Sequence, residues 1–319
     1  MRRVAAIDCG TNSIRLLVAD TDAGGRLVDV EREMTIVRLG HGVDRTGRFD
    51  EEALARTLAA THDYAERIRA HGVPFDSDHV RFVATSATRD AENRDVFLGG
   101  VEEILGVRPG VITGTEEAAL SFRGAVSVLD PGPVQRGLVV DLGGGSTELV
   151  LGRTQPDASV SMNIGCVRLT ERHVRSDPAT AAELTAIRAD AEAALDEASG
   201  RVGVGEASVV IGVAGTITTV TAHALGLDRY DPQAIHGARL PIDAVVAAAN
   251  DLASLDREQR AALPYMHPGR VDVIAAGATV WASILERVAA ESNLDEAVTS
   301  EHDILDGIAL SLSDIPPVE

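Results

Sequence analysis

Val139-Val140-Asp141-Leu142-Gly143-Gly144-Gly145-Ser146-Thr147-Glu148-Leu149-Val150-Leu151 holds the clearest structural signal in the chain. It reads as an apolar strand, a glycine turn carrying a hydroxyl, and a second apolar strand. With no Cβ on Gly143, Gly144 and Gly145, backbone N–H groups up to Ser146 can converge on one point and cradle phosphate oxygens. Asp141 and Glu148 bracket this cradle. Two carboxylates around a phosphate site suit a hard, oxygen-liganded cation such as Mg²⁺, with Mn²⁺ as a substitute. Rossmann and Walker loops open into a helix. Here a strand follows, so the segment is a β-hairpin phosphate loop. The competing reading is a type I′ hairpin with spare glycines, and the two bracketing acids argue against it.

The same unit occurs near the N-terminus. Val4-Ala5-Ala6-Ile7 is an apolar strand, Asp8-Cys9-Gly10-Thr11-Asn12-Ser13 a loop, and Ile14 to Ala19 a second strand. Asp8 aligns with Asp141, Gly10 with Gly143 and Ser13 with Ser146. Two copies in register predict a duplicated architecture. A turn at Gly24-Gly25 leads into a third strand around Leu27 to Val37, which completes a meander.

The 319 residues are enough for two domains with substantial cores. All basic residues are arginine, and the net charge is −20. That balance argues against a general nucleic-acid or anionic-membrane binder, so a phosphate site here needs a local set of Arg, metal and N–H groups. Cys9 and Cys166 have no metal-ligand spacing and read as reduced, buried thiols. Asp8 comes too early for a signal peptide, and no apolar run is long enough to span a membrane. The expectation is a cytoplasmic protein.

In between, Asp50-Glu51-Glu52 caps a helix whose apolar positions Leu54, Leu58, Tyr64 and Ile68 share one face. Strand Val80 to Ala84 delivers Thr85-Ser86-Ala87-Thr88-Arg89 at its carboxyl end, where ligands gather in α/β sheets. Arg89 is either a phosphate-directed cation or a surface salt-bridge residue. A strand over Val107 to Thr113 leads into a helix opening with Glu116-Glu117, and spacing alone makes both acids simple dipole partners. Pro131-Gly132-Pro133 is a linker. After the central hairpin come a strand around Val160 to Ile164 and helices over Arg168 to Val174 and Ala179 to Ala198. Strand Val209 to Ile211 ends in Gly212-Val213-Ala214-Gly215-Thr216 and a helix. Gly215 and Thr216 are candidate phosphate contacts at that helix N-terminus, although this form alone is not diagnostic. Helices at Ile242 to Ser254, Arg257 to Leu263 and Val271 to Ala290, strand Ala297 to Thr299 and a helix from Ile304 close the chain. His236, His267 and His302 read as loop or cap residues.

Two hairpin phosphate loops opening with Asp, plus a later strand–glycine–helix loop, resemble the actin-like ATPase and sugar-kinase superfamily. Within it the chain is similar to the exopolyphosphatases and guanosine pentaphosphate phosphatases. The resemblance rests on Ala6 to Ser13, Ala84 to Ala91, Ile112 to Ala118, Val140 to Leu149 and Gly165-Cys166-Val167-Arg168-Leu169-Thr170-Glu171, with weaker matches around Gly215 and Arg270. Thr11 stands where the family usually has Ser. The family's Arg between the last strand and helix is absent from Ser300-Glu301-His302-Asp303, so that segment is assigned no role. The helical C-terminal domains of long members are also absent, which suggests a short, two-domain form.

The resemblance implies an α/β, actin-like (ribonuclease H-like) fold of two duplicated domains around a cleft. Residues 1–125 would form one and 126–303 the other, with a final helix near 304–315 packing back on the first. It also implies Glu117 as the base for an in-line water and Arg89 as the cation on the transferred phosphoryl group. Asp141 and Glu148 would hold Mg²⁺. Asp8, Gly10, Thr11, Asn12 and Ser13, with Gly143 to Ser146, would grip phosphates. The implied activity is Mg²⁺-dependent removal of the terminal phosphate from inorganic polyphosphate, with a homodimer as the expected assembly. Guanosine pentaphosphate hydrolysis is the alternative. A non-catalytic polyphosphate or alarmone sensor is a third reading, opposed by the intact set of Glu117, Asp141 and Glu148.

Overall fold

Every side chain of Val4-Ala5-Ala6-Ile7 is buried, as expected of a strand covered on both faces. The computed structural model of the chain describes residues 2–22, 26–128 and 136–313. The expected Gly24-Gly25 turn and Pro131-Gly132-Pro133 linker lie outside these. The chain forms two compact units, Met1–Gly124 with Ile304–Glu319, and Ala125–Asp303.

In the first unit β1 (Arg2–Cys9), β2 (Ser13–Thr21) and β3 (Leu27–Ile36) form an antiparallel meander. β4 (Val80–Ala84) runs parallel to β1, and β5 (Gly110–Val111) parallel to β4, so the order is β3-β2-β1-β4-β5. The second unit repeats the plan. β6 (Gly137–Leu142), β7 (Thr147–Gly152) and β8 (Pro156–Met162) form the meander, and β9 (Val209–Val213) runs parallel to β6. β10 (Arg239–Pro241) is added at the edge, antiparallel to β11 (Glu296–Thr299), which is parallel to β9, giving β10-β11-β9-β6-β7-β8. Strand by strand, the second order reproduces the first plus one edge strand. This is the expected actin-like, ribonuclease H-like α/β topology, present twice.

The two-residue period of the strands sorts their side chains between two layers. Ala5, Ile7 and Cys9 pack with Tyr64 and Ile68 of helix Glu51–Ala70 and with Phe97 and Val101 of helix Arg94–Leu105. Val4 and Ala6 face the other way, into a cluster with Leu120 of helix Gly114–Ala125 and with Ile304, Leu305 and Ile308 of the last helix, Ile304–Ser313. By the same alternation Asp8 lies on the Val4 and Ala6 face, the side covered by the helix that carries Glu117.

Several elements differ from the sequence expectation. Helix Arg94–Leu105 was not foreseen, because Gly99-Gly100 breaks its apolar pattern. A Cβ on Gly100 would come within 2.9 Å of a Leu58 methyl, so glycine there leaves room for Leu58 of the neighbouring helix. The strand expected over Val107 to Thr113 shrinks to Gly110–Val111, since Pro109 has no N–H for the ladder. The helix expected from Ala179 runs over Ala181–Val202 behind a Thr180 capping box, and the one expected from Val271 starts at Ile274.

Candidate active site

Both hairpins close in the same way. Gly10 N donates to Ser13 O at 3.0 Å, and Gly143 N to Ser146 O at 3.0 Å. The ladders place Asp8 opposite Arg15 and Asp141 opposite Glu148, each one pair beyond the pair that flanks the four-residue loop.

The carbonyls of these loops are tied down from outside. In the first, Thr11 O accepts from Gly40 N at 2.8 Å, and Asn12 O from Val37 N and Arg38 N at 3.1 and 2.9 Å. In the second, Gly143 O accepts from Cys166 N at 3.0 Å, and Gly144 O from Val167 N and Arg168 N at 2.9 and 3.1 Å. The Arg168 side chain continues the series, with Nε donating to Gly145 O at 2.7 Å. These donors belong to the start of helix Cys166–His173. Gly165 lets that helix approach, because a Cβ there would lie 2.5 Å from Gly144 O. In a trans peptide the C=O and the following N–H point in opposite directions. Anchored carbonyls therefore turn the N–H groups of Gly144, Gly145 and Ser146 away from the helix, and those groups donate to no acceptor among the described residues. That is the backbone arrangement of an anion nest.

Asp141, Glu148 and Ser161 lie side by side on adjacent strands, on the sheet face opposite Leu138, Val140, Leu149 and Leu151. Asp141 is 6% exposed and Glu148 1%, and Ser161 Oγ donates to Glu148 Oε1 at 2.6 Å. No group of three or more His, Cys, Asp or Glu side chains is gathered as metal ligands among the described residues. The pair still fits Mg²⁺, which is commonly held by one or two carboxylates with water and substrate oxygens completing its shell.

In the first unit Asp8 is buried and ion-paired, with Arg15 Nε and Nη2 donating to its Oδ2 at 3.0 and 2.6 Å. Glu117 is 8% exposed. Burial pushes its carboxyl up to about 7; Arg89 opposes that shift, Asp8 adds to it and Arg15 opposes it. Arg89 Nη1 donates to Glu117 Oε2 at 2.7 Å and to Ile112 O at 3.0 Å. The arginine expected to face phosphate here holds the carboxylate of the expected base.

The neighbouring acid behaves differently. Glu116 N donates to Thr113 Oγ1 at 3.2 Å, and Thr113 N to Glu116 Oε2 at 3.1 Å, a reciprocal capping box. The first-turn role that spacing assigned to both acids belongs to Glu116.

Gly215 and Thr216 begin helix Gly215–Ala224, where Ala214 has φ 72° and ψ 167°, a region that strains any residue but glycine by about 1–3 kcal/mol. The Arg270 guanidinium covers Gly215 and donates to Thr219 Oγ1 at 3.1 Å. Thr216 lies beside Cys166, both packed against Gly277, which brings this loop to the helix that anchors the glycine hairpin. Cys9 and Cys166 are free and buried, and burial raises both thiols. His267 accepts from Gly269 N as a cap, while the rings of His236 and His302 lie tilted to each other with centres 4.5 Å apart. In the segment assigned no role, Glu301 accepts from the Tyr230 hydroxyl at 2.7 Å.

Sequence reasoning missed Arg15 beside Asp8 in the first unit, and Ser161 and Arg168 around the glycine hairpin of the second. Arg15 was readable, because the alignment that matches Asp8 to Asp141 matches Arg15 to Glu148. Ser161 and Arg168 depend on cross-strand register and on helix docking, which spacing along the chain does not encode.

The chain is similar to Exopolyphosphatase 2 of Mycobacterium tuberculosis, 51% identical over 321 residues that cover 98% of this chain and 99% of that protein. Among solved structures, an exopolyphosphatase-like protein is 46% identical with a TM-score of 0.92, covering 98% of this chain and 99% of its own. An exopolyphosphatase from Cytophaga hutchinsonii is 25% identical with a TM-score of 0.86, covering 98% of each chain. The description Ppx/GppA phosphatase family matches residues 17–312, and with these relatives along its full length the chain belongs to that family.

Proposed function

We propose that the chain is an exopolyphosphatase that hydrolyses the terminal phosphoanhydride of inorganic polyphosphate. The observation that carries this reading is Glu117, a buried carboxyl pushed up to about 7 and held by Arg89, in a chain whose 51%-identical relative bears the name Exopolyphosphatase 2. A general base works best when its pKa lies near the working pH. Glu117 would accept a proton from the attacking water, and Arg89 would keep its carboxylate ionised and aimed. The N–H groups of Gly144, Gly145 and Ser146 would bind phosphate oxygens, and those of Asn12 and Ser13, which follow the anchored Thr11 and Asn12 carbonyls, would do the same in the first unit. Arg15 neutralises Asp8, which reduces repulsion of a polyanion beside the base.

Asp141 and Glu148 would hold Mg²⁺, which when bound supplies charge neutralisation on phosphoryl oxygens. Guanosine pentaphosphate as a second substrate, a homodimeric state and a cytoplasmic setting belong to the same proposal. The reading rests on phosphate release from polyphosphates of several lengths and from guanosine pentaphosphate, assayed side by side with and without Mg²⁺. Mg²⁺-dependent release from polyphosphate is expected. No release from any polyphosphate with Mg²⁺ present would overturn it.

A further inference from the structure

We infer that Arg168 is a positioning residue that sets the third N–H donor of the glycine hairpin; this rests on the reading of that hairpin as a phosphate cradle. The stretch Gly165 to Glu171 drew attention in the sequence without receiving a role, and the geometry supplies one. Three successive peptides of the loop are anchored by their carbonyls. Those of Gly143 and Gly144 are held by main-chain N–H groups of Cys166, Val167 and Arg168, which any sequence forming this helix would provide. The carbonyl of Gly145 accepts from a side chain, Arg168 Nε, at 2.7 Å. Anchoring Gly145 O turns the Ser146 N–H to the opposite side, alongside the N–H groups of Gly144 and Gly145. Glycine at 143, 144 and 145 leaves these peptides otherwise free to rotate, so without the guanidinium the last of them loses its anchor. Among these anchors, Arg168 Nε is the one that a substitution can remove.

The comparison within the chain supports this assignment. The first hairpin has the same Gly-to-Ser closure, and its Thr11 and Asn12 carbonyls are held by the main-chain N–H groups of Gly40, Val37 and Arg38. Only the second hairpin has glycine at its third position, and there a side chain does the anchoring.

Amide NMR of the full chain with inorganic phosphate as the probe tests this. In the wild type, phosphate is expected to shift the amides of Gly144, Gly145 and Ser146. In Arg168→Gln, the Ser146 response is expected to fall several-fold while those of Gly144 and Gly145 persist. Polyphosphate hydrolysis should lose kcat by roughly 10²-fold, the cost of one preorganised donor, with KM little changed. Arg168→Lys, which retains a donor of similar reach, should recover part of both and serves if Arg168→Gln does not fold. An Arg168 variant that keeps the full Ser146 response, or loses all three responses equally, would overturn the inference, because the side chain would then be dispensable or acting as general charge. Wild-type amides indifferent to phosphate would remove the cradle reading, and the inference with it.

Discussion

Replacing Glu117 by Gln keeps the shape of the side chain and removes its charge and basicity. The carboxyl's ordinary value is 4.5, and in the fold it is pushed up to about 7, burial being the largest cause. Between those values the folded chain retains a proton that the unfolded chain has lost, so folding stability falls as pH rises through that window. The shift corresponds to roughly 3 kcal/mol between about pH 4 and pH 8. Gln does not titrate, so Glu117→Gln should lack this loss. Urea denaturation of both proteins at pH 5 and pH 8 isolates the effect, since other titrating groups cancel in the difference. The variant should gain up to roughly 3 kcal/mol on wild type between the two pH values, less whatever the altered Arg89 contact costs. Activity should move the other way. In wild type kcat/KM should rise with pH through about 7 as Glu117 ionises. In the variant kcat should fall roughly 10²–10⁴-fold and the rising limb should vanish. Parallel stability curves, or a variant that keeps both turnover and the limb near pH 7, would refute the buried-base reasoning.

Arg89→Gln removes the cation that opposes the rise in Glu117, so the midpoint of the kcat/KM profile should move above 7 in a pH–rate titration. Asp141→Asn should sharply weaken activity at limiting Mg²⁺ with an unchanged circular dichroism spectrum; equal activity across an Mg²⁺ titration would remove Asp141 from the metal assignment. Glu116→Gln, still a capping-box residue, should leave turnover and melting near wild type, whereas Glu116→Ala should cost about 1 kcal/mol in denaturation without shifting the pH profile.

The hairpins were legible because their signal is local. Asp, Gly and Ser at fixed spacing between apolar runs specify strand, loop and strand, and the repetition of that spacing specified the duplicated fold. The division of labour between Glu116 and Glu117 was not legible, since adjacent acids in one first turn look alike to any rule of periodicity. It depends on Thr113, three residues before Glu116, and on Arg89, which is distant in sequence and meets Glu117 only after β4 and helix Gly114–Ala125 have packed. Arg89 was noticed for its position at a strand end, but its partner was a matter of tertiary structure. Helix Arg94–Leu105 was hidden for the converse reason: Gly99 and Gly100 carry no helical signal, and Gly100 serves the contact with Leu58.

The duplication itself explains how the chemistry is divided. Closure, register and anchored carbonyls are shared by the two hairpins, so these features serve the proposed phosphate binding in both and distinguish neither. The residue opposite the shared Asp differs. Arg15 faces Asp8 and pairs with it at 2.6 Å, so the first hairpin meets its charge with a side chain, and Arg15 opposes part of the rise that Asp8 adds to Glu117. Glu148 faces Asp141, and like charges directly opposite on a sheet are destabilising unless something positive is shared between them. Both carboxylates are nearly buried, and the Ser161 hydroxyl donates to Glu148. The Mg²⁺ proposed for the second hairpin and the support proposed for Glu117 in the first therefore both turn on this one position. Exchanging the charge at that position should move the need for a cation with it, whatever the glycine content of the loops.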